Sequence, residues 1–71
     1  MKEMEPSLRA QFEARIQELK VEHRDLDLAI HRLSNDPLHS ELALKRMKRR
    51  KLLLKDQIVW IARQLDPDIP A

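Results

Sequence analysis

FEARIQELKVEHRDLDLAIHRL, residues 12–33, carries apolar side chains at Phe12, Ile16, Leu19, Leu26, Ile30 and Leu33, in alternating steps of four and three that only His23 interrupts. LKRMKRRKLLLKDQIVWIARQL, residues 44–65, repeats the pattern at Leu44, Met47, Leu54, Ile58, Ile61 and Leu65, with Lys51 as its one interruption. Steps of three and four keep side chains on one face of an α-helix. Folding the chain back at the polar break between the stripes sets Ile30 against Leu44, Leu26 against Met47, Leu19 against Leu54, Ile16 against Ile58 and Phe12 against Ile61. His23 then falls opposite Lys51, so the two polar interruptions share one layer. A single polar layer of this kind fixes alignment at some loss of stability. The stripes therefore predict an all-α fold: an antiparallel two-helix hairpin with coiled-coil-like packing, assembling into a helical bundle.

Punctuation on either side sets the boundaries. Pro6 suits the first turn of a helix, where its missing N–H is no loss. Asn35 tolerates the left-handed conformation that ends many helices, and Asp36 can cap the next one with Pro37 at its first position. Ser40 competes for that cap. The chain thus divides into a flexible N-terminus (1–6), a hairpin over 7–65 (helix 7–34, turn 35–37, helix 38–65) and a proline-broken tail (66–71).

Composition narrows the function classes. Glycine and cysteine are both absent, and Phe12 and Trp60 are the only aromatic residues. Without glycine there is no phosphate-cradling loop, and without cysteine there is neither a disulfide framework nor a thiolate metal site. The longest apolar run, Leu52-Leu53-Leu54, is far short of a membrane span, and residues 1–6 lack the apolar core of a signal peptide. A cytoplasmic protein is the expectation.

Two slender helices of this length bury little surface, and domains of this size rarely draw more than about 3–5 kcal/mol from one core. Apolar residues outside the seam indicate where more burial is available. Val21 and Leu28 repeat at seven-residue spacing on the first helix, as do Leu52 with Val59 and Leu53 with Trp60 on the second. These six residues are the candidate protein interface, for self-association or for a protein partner.

The motif order also carries a family resemblance. Glu22-His23, then Leu26-Asp27 and Ile30, precede Leu44-Lys45, Lys51-Leu52 and the run Leu54-Lys55-Asp56-Gln57-Ile58. Over about residues 12–65 the chain resembles the YdcH-like family of small bacterial proteins. That resemblance implies a helical hairpin of undefined biochemical role and brings no catalytic residues. Leu53, where a polar residue is expected, and the dense basic run before it depart from the simplest form of the pattern.

His23 is read as part of the seam with Lys51 rather than as a base or metal ligand. His23, His31 and His39 stand eight residues apart, whereas ligands on one helix prefer three or four. Two potential cations in one layer lead to the expectation that acid loosens the hairpin unless a carboxylate intervenes, with Glu22 the nearest in this register.

Lys45, Arg46, Lys48, Arg49, Arg50, Lys51 and Lys55 make a basic run on a chain whose net charge is only +2. Pairing of Asp27 with Lys48 and of Glu22 with Arg50 would absorb part of it. Lys45, Arg46, Arg49 and Arg50 are the candidate nucleic-acid contacts, although no aromatic is interleaved among them to stack on bases. Nucleic acid is therefore the second choice of partner. No nucleophile–base pair or carboxylate dyad converges in this register, and a two-helix rod offers no cleft. The expected function is a non-enzymatic interaction module without metal, cofactor, membrane contact or small-molecule substrate.

Overall fold

The computed structural model describes residues 5–66. The expected flexible segment and tail therefore lie largely outside the described residues. Two helices, α1 (Pro6–Ser34) and α2 (Glu41–Leu65), pack against each other as a hairpin measuring 52 × 25 × 15 Å. No strand occurs among the described residues.

α1 opens with Pro6 as its first residue, one position earlier than expected, and the Arg9 N–H starts the ladder on the Glu5 carbonyl at 2.8 Å. Its far end tightens through bonds of i to i−3 type: Asn35 N–H to Arg32 O at 3.3 Å and Asp36 N–H to Leu33 O at 3.1 Å. The Ser34 hydroxyl donates to the His31 carbonyl. Asn35 does not take the expected left-handed conformation. Its φ of −88° and ψ of −5° continue the right-handed helix, and no described residue has positive φ.

The larger correction concerns the start of α2, expected at residue 38 with Asp36 as cap. The helix begins at Glu41, and the Ser40 hydroxyl caps it by accepting the Ala43 N–H at 3.2 Å. Asp36 is occupied elsewhere: its carboxylate accepts the Leu38 N–H at 2.9 Å, closing a local turn around Pro37. The connector therefore spans residues 35–40, and Leu38 stands 91% exposed in it. Glu41, in the first turn of α2, complements the positive end of the helix dipole.

His39 ties this connector together. Its Nδ1–H donates to the Asp36 carbonyl at 2.6 Å, and Nε2 lies 3.2 Å from a Glu41 carboxylate oxygen. The backbone bond to Asp36, followed by Glu41, raises the His39 pKa above the usual 6.5. The stabilisation is then complete below pH 6.5 and is lost as pH rises through the raised value. Chemical-shift titration of the His39 ring should give a midpoint above that of unfolded chain. In a His39→Gln variant, the part of the melting temperature that depends on mildly alkaline pH should disappear.

The seam follows the apolar stripes. Ile16, Leu19, Leu54 and Ile61 form one buried cluster, with Phe12, Leu26, Ile58, Ala62 and Leu65 packed against it, while Ile30 and Leu44 are buried nearer the connector. At the open end, the Arg9 guanidinium donates to the Leu65 carbonyl at 3.2 Å. The first turns of α1 thereby satisfy a carbonyl that α2 leaves unpaired at its terminus.

Candidate interaction surface

Each helix has one face turned away from the seam, and the two faces point in opposite directions. Val21 and Leu28 are exposed on α1; Leu52, Leu53, Val59 and Trp60 are exposed on α2. The six candidate interface residues therefore belong to two surfaces, and one flat contact cannot cover both. The α2 set is the denser. Leu52, Leu53, Val59 and Trp60 lie four and three positions before, and three and four positions after, the exposed Asp56. On a helix those spacings are neighbours, so four apolar side chains surround one carboxylate.

Trp60 is more than an outward residue. Its ring meets Phe12 edge to face, with centroids 5.8 Å apart and planes at 86°. Spacing on α2 alone assigns Trp60 to the outer side, and only its side-chain length lets it reach the seam. It remains 56% exposed. One edge is anchored while most of the indole is available, so little side-chain freedom is left to lose on contact with a partner.

The polar layer has a third member. His23 and Lys51 line the same groove, together with Ile30, Lys48, Leu52 and Lys55. Lys51 forms an ion pair with Asp27, and Arg50 pairs with Glu22 at 3.6 Å. Two expectations change. Asp27 pairs with Lys51 rather than with Lys48, and Asp27 rather than Glu22 is the carboxylate placed beside the His23 layer. The hydrogen bond and charge of Lys51 hold the Asp27 carboxyl below its usual 3.8, and His23 acts in the same direction. Asp27 is thus the carboxylate that intervenes in the polar layer. The stabilisation from Asp27 is present above pH 3.8 and is lost as pH falls through the lowered value. An Asp27→Asn variant should melt below the wild type at neutral pH, and the two melting curves should converge in strong acid.

Lys45, Arg46, Lys48, Arg49 and Lys55 form no ion pair among the described residues. Of the candidate nucleic-acid contacts, Lys45, Arg46 and Arg49 thus project freely, and Arg50 is engaged by Glu22 on the flank of the hairpin. No described group of three or more His, Cys, Asp or Glu side chains is arranged to hold a metal ion. No described helix is long and apolar enough to cross a membrane.

Comparison with known proteins places the chain in a family. The model of a family described as "Protein of unknown function (DUF465)" fits residues 16–62, about two thirds of the chain and most of both helices. No curated protein and no solved structure matches the chain significantly.

Proposed function

We propose, from the premise that the chain belongs to the DUF465 family of proteins of unknown function, that the hairpin is a non-enzymatic interaction module that binds a protein surface through the outer face of α2. The observation that carries this reading is the group of exposed apolar residues at Leu52, Leu53, Val59 and Trp60, beside a seam with only six buried hydrophobic residues among the described residues. Contiguous exposed apolar side chains with a polar rim mark contact surfaces more often than plain solvent-facing ones. A half-anchored tryptophan among them is the kind of residue that dominates binding energy. We read the finer motif resemblance as membership of the YdcH-like group, and the working compartment as a bacterial cytoplasm. Glu22-His23 and the run Leu54–Ile58 support the first, and the cysteine-free composition accords with the second.

The unpaired cations favour a second reading, a small nucleic-acid-associated regulator contacting phosphate through Lys45, Arg46 and Arg49 with Arg50 at the edge. Salt separates the two, because phosphate contacts weaken steeply with ionic strength and apolar contacts do not. Tagged full-length chain and a Leu53→Asp bait are applied in parallel to lysate, with and without nuclease. The α2 reading expects a protein retained by the wild type in both halves and at high salt, and lost from the Leu53→Asp bait. Retention that vanishes with nuclease or salt, and is indifferent to Leu53, transfers the function to the basic run.

A further inference from the structure

The α2 face has a charge pattern of its own, and we infer that what covers it is a second copy of this chain, docked antiparallel so that Asp56 of each copy meets Arg46 and Arg49 of the other. The inference rests on α2 being the binding surface and adds the identity of the occupant.

Away from the seam, Leu42, Arg46, Arg49, Leu53, Asp56, Trp60 and Arg63 follow one another in alternating steps of four and three. All seven are exposed. This is a second helical stripe, fit for pairing with another helix but left uncovered by α1. Its charges are unevenly distributed: Arg46 and Arg49 gather in the first half of the stripe, the lone carboxylate Asp56 lies further on, and Arg63 closes it. The positions that could pair with Asp56 along its own helix hold Leu52, Leu53, Val59 and Trp60, none of them a cation. Neither Asp56 nor Arg46 nor Arg49 forms an ion pair among the described residues.

The pattern is complementary to its own reverse. In a parallel pairing Asp56 would face Asp56, and Arg46, Arg49 and Arg63 would each face their own counterparts, four layers of like charge. In an antiparallel pairing with its two-fold axis at the level of Lys51 and Leu52, Asp56 stands within one helical turn (about 5.4 Å) of both arginines of the second copy. Two-fold symmetry makes the contact twice, as an isologous dimer requires. Trp60 falls between the second copy's Leu42 and Arg46, an apolar neighbour and a guanidinium able to lie on the indole face. Leu52 and Leu53 cross near the axis and meet their own counterparts. The product is a four-helix assembly with the two α2 helices inside and the two α1 helices outside, which leaves Val21 and Leu28 outward.

Charge reversal tests this arrangement on the full chain. Asp56→Arg is prepared as one variant and Arg46→Asp with Arg49→Asp as another, circular dichroism verifying that each keeps its helices. Sedimentation equilibrium should give a dimeric wild type and, for each variant alone, self-association at least ~100-fold weaker, because like charges then face one another. Mixing the two variants should restore the dimer as a one-to-one hetero-pair, since every reversed charge then meets its opposite. The milder Asp56→Asn, which removes the charge without reversing it, should weaken self-association less than Asp56→Arg does, a control that does not depend on a bulky replacement. A mixture that stays monomeric, or a variant that dimerises alone as tightly as wild type, overturns the pairing. A wild type that remains monomeric at millimolar concentration overturns the second copy as occupant. In that case, loss of a different protein from the Leu53→Asp bait would leave the α2 surface itself intact as the binding site.

Discussion

Leu19→Ala should abolish the folded hairpin in dilute solution. Among the described residues Leu19 is the one large side chain with no exposed surface, and it belongs to the cluster formed with Ile16, Leu54 and Ile61. Removing a fully buried leucine costs about 2–5 kcal/mol, through lost transfer energy and the cavity left behind. A core this small contributes no more than about 3–5 kcal/mol, so one truncation consumes most or all of it. The expected observation is a far-ultraviolet spectrum of mostly unfolded chain at micromolar concentration, where the wild type is helical and melts cooperatively. Val21→Ala, made on the exposed face of α1, should change stability by less than about 0.5 kcal/mol. A Leu19→Ala chain that kept wild-type helicity and melting temperature would refute the described seam.

Trp60→Ala should weaken association by about 30-fold or more while the hairpin still folds. An aromatic anchor buried in an interface contributes about 2 kcal/mol or more, and each 1.4 kcal/mol is roughly tenfold in affinity. The edge-to-face contact with Phe12 is a smaller loss, about 0.5–1.5 kcal/mol of stability beyond area burial. Trp60→Phe keeps an aromatic ring at the site and should recover part of the affinity. Dissociation constants measured alongside thermal melts separate the two losses. Equal affinity of the Trp60→Ala variant and the wild type would exclude Trp60 from the contact.

The two stripes made the hairpin legible because burial of one helical face leaves a period that survives in sequence. Leu19 and Leu54 fall in one core cluster, as their spacing requires, and so do Ile16, Phe12 and Ile61. Features that depend on how a side chain is used were not legible. Asp36 and Ser40 are both competent caps, and the choice depends on which backbone N–H each one reaches. Asp36 took the Leu38 N–H, which left Ser40 to start α2. Asp27 lies on the flank of the seam, where either Lys48 or Lys51 is within reach of a long, mobile side chain, and the stripe does not choose between them. The His39 clamp has no period and becomes visible only once the connector is known to run from residue 35 to residue 40. Trp60 reaches Phe12 through the length of its side chain, which helical spacing does not encode.

Trp60 also supplies the most direct measurement, because it is the sole tryptophan and lies in the proposed contact face. Its fluorescence emission and its quenching by acrylamide are followed as wild-type chain is raised from micromolar to millimolar concentration, at low and at high salt. Covering of the α2 face by a second copy predicts a blue shift and protection from acrylamide that grow with concentration, the transition moving to higher concentration at high salt as the Asp56 pairs are screened. Emission and quenching that stay those of a half-exposed indole, while sedimentation shows the mass doubling, would contradict it and move the contact elsewhere on the hairpin.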